Sequence, residues 1–146
     1  MIVFMSKRRE FLKSAGALSA ASALFQQMGI AAGPKLNDTV VEAGKATASK
    51  INGQDLKIHF EGPTDQLKSM TSGSLVLQPG MEPHPPHQHE EEELMMISEG
   101  SGDIYIEGKT LKCGPGSIMY CGANKLHGIK NTGKKPLTFY FAKWKA

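Results

Sequence analysis

Between residues 84 and 100 the chain reads HPPHQHEEEELMMISEG, three histidines and four consecutive glutamates ahead of an apolar run that ends in glycine. His87 and His89 are two residues apart, so in an extended backbone both imidazoles leave the same face, and Glu93 shares their parity if the extension continues. Imidazole nitrogen and carboxylate oxygen converging from a rigid scaffold are what a first-row divalent metal takes as ligands. The competing reading is a Pro/His/Glu-rich surface loop whose charges are merely hydrated. Three features count against it. Four adjacent glutamates repel one another unless a cation or a partner draws one in. LMMIS follows at once, which puts the glutamates at the mouth of a buried strand. His127, in NKLHGIKNTG, opens another short strand and could complete the set.

The elements that must position these residues are short. LKIHF (56–60), GSLVLQ (73–78), ELMMIS (93–98), DIYIE (103–107), SIMYC (117–121), HGIKN (127–131) and LTFYFAKW (137–144) are rich in apolar, β-branched and aromatic residues and are of strand length. Turn residues at SEGSGD, EGK, GPG, CGAN and NTGKKP separate them. No long helix and no repeat is visible, so the expectation is an all-β, antiparallel sandwich or barrel. Alternation predicts that Ile104 and Ile106 face the core and that Met95 and Ile97 follow the histidines inward. Met95, Ile97, Tyr120, Phe139, Phe141 and Trp144 are expected as pocket walls, and they serve equally well as core.

At 146 residues, 40% hydrophobic and 21% charged, the chain has the composition of one globular domain. Residues 1–31 carry Lys7, Arg8 and Arg9 ahead of a small, apolar run, and Arg8-Arg9-Glu10-Phe11-Leu12-Lys13 closely resembles the twin-arginine export motif. Serines, glycines and glutamines interrupt that run, which argues against a membrane anchor. The expectation is a twin-arginine signal peptide cleaved near Ala31 or Ala32, and a periplasmic or extracellular product. Removing it takes away four basic residues and one acidic residue, leaving 17 − 4 = 13 basic against 14 − 1 = 13 acidic. The mature chain is therefore formally neutral, and it lacks the basic clustering that nucleic-acid binding needs. A lead-in follows over residues 32–55, with the main domain over 56–146. The DTVVEA segment within the lead-in suggests an added edge strand and a homodimer. Cys113 and Cys121 bracket a Gly-Pro-Gly turn and are read as separate thiols.

Taken in order, these residues resemble the cupins, small jelly-roll β-barrels. Gly80, His87, His89, Glu93 and Gly100 match the first cupin motif, with six residues between Glu93 and Gly100 and a glycine-to-histidine gap one residue longer than usual. Gly116, His127 and Asn131 fit the second, although Ser117 stands where aspartate is usual and Gly122 where proline is. The resemblance spans Leu56 to Trp144. It implies an antiparallel cupin β-barrel and names His87, His89, Glu93 and His127 as ligands of a divalent transition metal, Fe, Mn, Ni or Zn. Glu90, Glu91 and Glu92 would be solvated company. His84, between two prolines, is expected at the rim as a residue able to shuttle protons, and His59 as a satisfied strand histidine. Cupins include dioxygenases, isomerases, lyases and binding proteins. No nucleophile or phosphate loop is present, so the reading is a metal-dependent enzyme acting on a small oxygen-rich molecule, oxygenase chemistry first. The alternatives are an isomerase or lyase of a sugar or keto compound, and a non-catalytic binding protein.

Overall fold

The computed structural model describes residues 33–146; the expected export signal, residues 1–31, falls outside them. Nine strands and no helix make up the described chain: β1 (Thr47–Ile51), β2 (Gln54–Gly62), β3 (Ser69–Leu77), β4 (Glu92–Glu99), β5 (Gly102–Ile106), β6 (Lys109–Cys113), β7 (Ile118–Cys121), β8 (His127–Lys130) and β9 (Leu137–Lys145). They pair antiparallel in two sheets, one in the order β1-β2-β3-β9-β4-β7 and one in the order β6-β5-β8. The architecture is the expected antiparallel jelly-roll barrel.

Seven of the strands coincide with the apolar runs. β1 and β6 do not, because each buries only its last residue, Ile51 or Cys113, and so has no alternation to read. What makes them strands is the turn that folds each onto its neighbour. Asn52-Gly53 joins β1 to β2 and Glu107-Gly108 joins β5 to β6, with φ of 48° and 75° in the first and 45° and 84° in the second. Two successive positive φ values give the backbone twist that a two-residue hairpin requires. The added edge strand is thus β1, whereas DTVVEA (38–43) forms no strand.

The core lies between the sheets. Leu75, Leu77, Ile97 and Leu137 from the large sheet are no more than 1% exposed, and Ile104 and Ile129 close over them from the small one. Ile106 packs against this cluster only partly buried. Gly100 shows why the β4–β5 turn takes glycine: its φ is 76°, and a Cβ there would lie 2.4 Å from the Pro136 carbonyl oxygen. Asn131, wholly buried, ties three segments together. Its Nδ2 donates to the Leu77 carbonyl at 2.8 Å and to the Lys135 carbonyl at 2.9 Å, and its Oδ1 accepts from the Gly133 N–H at 2.9 Å.

Candidate metal centre

Register explains the convergence of the histidines. The loop from residue 78 to 91 runs alongside β8 and pairs with it at one position, where His87 and His127 exchange both backbone hydrogen bonds at 2.9 Å. Directly opposed residues of an antiparallel pair point their side chains to the same face. The two imidazoles therefore enter the barrel together, with ring centroids 4.9 Å apart, and His89, two residues along from His87, adds a third at 5.2 Å from His87 and 4.9 Å from His127. One nitrogen from each of the three lies within 4.8 Å of the other two.

Glu93 enters from β4. Its Oε2 is 3.0 Å from His89 Nε2 and 2.9 Å from His127 Nε2. The far side of each ring is held by a carbonyl: His89 Nδ1 donates to the Glu91 carbonyl at 3.0 Å and His127 Nδ1 to the Lys125 carbonyl at 2.8 Å. A carbonyl can only accept, so Nδ1 carries the proton and Nε2 is the atom presented to the chamber. Backing of this kind orients metal-binding histidines and raises their basicity.

The protonation states follow from the same contacts. Burial pushes the Glu93 carboxyl up, but hydrogen bonds from His127 and His89 outweigh it and hold the pKa down to about 2. Burial works against the charged form of His127, yet its bonds to Glu93 and the Lys125 carbonyl leave its pKa raised. His87 falls to about 3, through burial first and then the neighbouring histidines, so its ring is neutral. A carboxylate and a neutral imidazole beside two rings fixed by Nδ1 fit a divalent cation: three nitrogens and one oxygen can replace shared protons with a metal.

Several expectations need correction. His84 is not a rim residue: it is buried, its ring meets His87 edge-on with centroids 3.9 Å apart, and burial lowers its pKa. Of the three glutamates expected to be solvated, two are not. Glu90 is exposed and pairs with Lys145, but Glu91 is buried, with Oε2 3.3 Å from His89 Nδ1. Glu92 accepts from Tyr120 Oη and Trp144 Nε1, each at 3.0 Å. Those bonds place Tyr120 and Trp144 on the outside of the large sheet, so neither walls the chamber. Met95 and Phe139 do, together with Ile129, Pro83 and Gly128, around a cavity of about 20 Å³. A second cavity, about 230 Å³, shares His84, Gly128 and Ile129 with the first and is otherwise lined by polar groups such as Asp103, Lys130 and Thr132. His59, on β2, stands near Tyr140 with ring centroids 6.3 Å apart. Cys113 and Cys121 are separate buried thiols.

One residue went unnoticed in the sequence. Lys143, on β9, is 2% exposed, inside the barrel, and directly opposite Glu93 on β4. The parity of Leu137, Phe139 and Phe141 points to position 143 as the next inward residue. The apolar character of Trp144 masks that parity, because a rule that sends apolar residues inward selects 144 instead of 143.

Comparison with known proteins agrees with this geometry. Residues 73–143 match the cupin domain family. No curated protein matches the sequence. Among solved structures, an RmlC-like cupin from Shewanella frigidimarina is similar at 12% identity and a TM-score of 0.63, covering 75% of this chain and 93% of its own. KdgF from Halomonas is 16% identical with a TM-score of 0.62, covering 75% of this chain and 96% of its own. A predicted oxalate decarboxylase from Thermotoga maritima is 20% identical with a TM-score of 0.60, covering 74% of this chain and all of its own. At such identities the likeness concerns fold. Over residues 73–143 the chain is thus similar to the cupin domain family, and the structural neighbours share its fold.

Proposed function

We propose that the protein is a metal-dependent enzyme acting on a small oxygen-rich molecule, with a divalent transition metal, Fe, Mn, Ni or Zn, held by His87, His89, His127 and Glu93. The observation that carries the reading is the set of three imidazoles and one carboxylate brought together by backbone pairing and second contacts, beside a cavity rather than sealed in the core. Such a metal supplies a Lewis acid and, if redox-active, a route for electrons between a bound ligand and oxygen.

The chain's own groups set what can bind. Three neutral imidazoles and one carboxylate total −1, so with a divalent ion the centre carries +1 and favours an anion. A cavity of about 20 Å³ admits a water or the end group of a ligand. Met95, Ile129 and Phe139 keep that end group in apolar surroundings, and Glu93 is held ionised. The reactive end is therefore a compact carboxylate, enediol or diketone. Dioxygenase-type chemistry is the first reading. The second is lyase or isomerase chemistry, favoured by the structural neighbour described as a predicted oxalate decarboxylase, a name that implies a small dianion of the kind this chamber suits.

The test loads apoprotein with Fe(II), Mn(II), Ni(II) or Zn(II) and offers catechols, enediols, β-diketones, oxalate and keto sugars, following oxygen uptake and product mass. Oxygen uptake with iron or manganese, lost in His89→Ala, is the expected result. Product with zinc under argon would transfer the assignment to lyase or isomerase chemistry, and binding without turnover under every metal would overturn the enzyme reading.

A further inference from the structure

Across four neighbouring strands of the large sheet, one inward row reads Thr71 on β3, Lys143 on β9, Glu93 on β4 and Cys121 on β7. All four are buried. Buried ammonium groups are uncommon because desolvation is costly unless a counter-charge is near. Two carboxylates are near. Glu93 is directly opposite Lys143 in the ladder, and Glu91 Oε1 is 4.0 Å from Lys143 Nζ, with side-chain exposures of 10% for Glu91 and 2% for Lys143.

Glu91 contacts His89 twice. Its carbonyl accepts from His89 Nδ1 at 3.0 Å, and its Oε2 lies 3.3 Å from the same nitrogen. The carbonyl suffices to fix which nitrogen is protonated. The carboxylate adds a second contact behind the ring, which fixes the orientation in which Nε2 faces the chamber. Lys143, 4.0 Å from Glu91 Oε1 and opposite Glu93 in the ladder, is placed to hold the Glu91 carboxylate in its buried position behind His89.

We propose that Lys143 is a positioning residue that acts through Glu91 to orient and strengthen His89 as a metal ligand. The chain of contacts runs Lys143 Nζ, Glu91 carboxylate, His89 Nδ1, and ends on Nε2 facing the centre. The inference rests on the metal reading for its purpose, though its first link is present without any metal.

The test has two arms. In metal-free protein, ¹⁵N resonances of the imidazole rings report the Nδ1 contact of each histidine separately. Lys143→Met is expected to shift the His89 ring signals in the direction seen for Glu91→Gln, with those of His127 changed much less. In the second arm, Co(II) and Zn(II) are titrated alone. Lys143→Met and Glu91→Gln should each weaken binding by about 10- to 100-fold, the range for loss of a group that backs a ligand, and alter the Co(II) absorption bands. The double variant should be no weaker than Glu91→Gln. Lys143→Met leaves a buried carboxylate without its counter-charge and so costs stability, whereas the double variant removes both charges and keeps the comparison intact if the single variant does not fold. Unchanged His89 signals in Lys143→Met, equal shifts at His89 and His127, or losses that add in the double variant would overturn the proposal. Failure of the wild type to bind any metal would overturn the functional reading instead, with the ring resonances still deciding the role of Lys143.

Discussion

The closed end and the mouth of the barrel are built from the same strands and follow opposite rules. At the closed end, β3 and β9 pair Leu77 with Leu137, both fully buried, and Leu75 faces Phe139 one level up. Three levels from Leu77, about 20 Å along strands that rise roughly 3.3 Å per residue, the same strands point Thr71 and Lys143 inward. There the outer surface is the apolar one: Leu94, Ile118 and Tyr120 are exposed on β4 and β7 while Glu93 and Cys121 beside them are buried. The closed end is held by area removed from water, which needs no particular partner. The mouth buries groups that are tolerable only as one another's partners, or as a cation's. Stability and chemistry are thereby assigned to different ends of each strand.

That division predicts separable defects. Leu77→Ala removes a wholly buried side chain and should cost about 2–5 kcal/mol of folding stability, read by denaturant unfolding, while metal affinity of the folded variant stays near wild type. His127→Ala should do the reverse, stripping most of the metal, by elemental analysis, with a smaller change in apoprotein unfolding. If both variants lost metal alike while folded, the two ends would not be independent. A finer cut lies within the mouth: Glu93→Gln, which alters a carboxylate bonded to two histidines, should weaken metal binding more than Glu91→Gln, which alters one behind a single histidine. The reverse order in a titration would move the ligand from Glu93 to Glu91. The smallest effect is expected outside. The apolar strip of Leu94, Met96, Ile118, Tyr120 and Tyr140, on a chain whose residues 32–146 are formally neutral, suits a second copy of itself. Ile118→Lys should convert a dimer to a monomer in light scattering with stability changed by less than about 0.5 kcal/mol; a monomeric wild type at micromolar concentration would end that idea.

Much of this was legible in the chain because period-two alternation is strong wherever one face is buried. It placed His87 and His89 on one side, set Glu93 in their parity and found seven strands. It was silent for β1 and β6, whose side chains face water on nearly every residue, and there only the turns carried information. The mouth was the hard part, because alternation was read with the rule that apolar residues go inside. Where the rule inverts, it makes walls of Tyr120 and Trp144 and a solvated charge of Glu91, and it gives no reason to bring Lys143 inside. Parity alone, followed from Leu137 through Phe141, points to Lys143. Spacing could not assign partners to the four glutamates, since each has a partner on a strand distant in sequence: Lys145 for Glu90, Lys143 for Glu91, Tyr120 and Trp144 for Glu92, and His127 for Glu93.

The single ladder position that joins His87 to His127 has a thermodynamic consequence. His87 belongs to a loop and His127 to a strand 40 residues later, so a cation that grasped both would close a long loop of chain as a crosslink does, and only in the docked arrangement. Metal affinity and the free energy of local opening at that loop are then linked: whatever lowers the docked fraction of the metal-free protein raises the apparent dissociation constant in inverse proportion to that fraction, without touching either histidine.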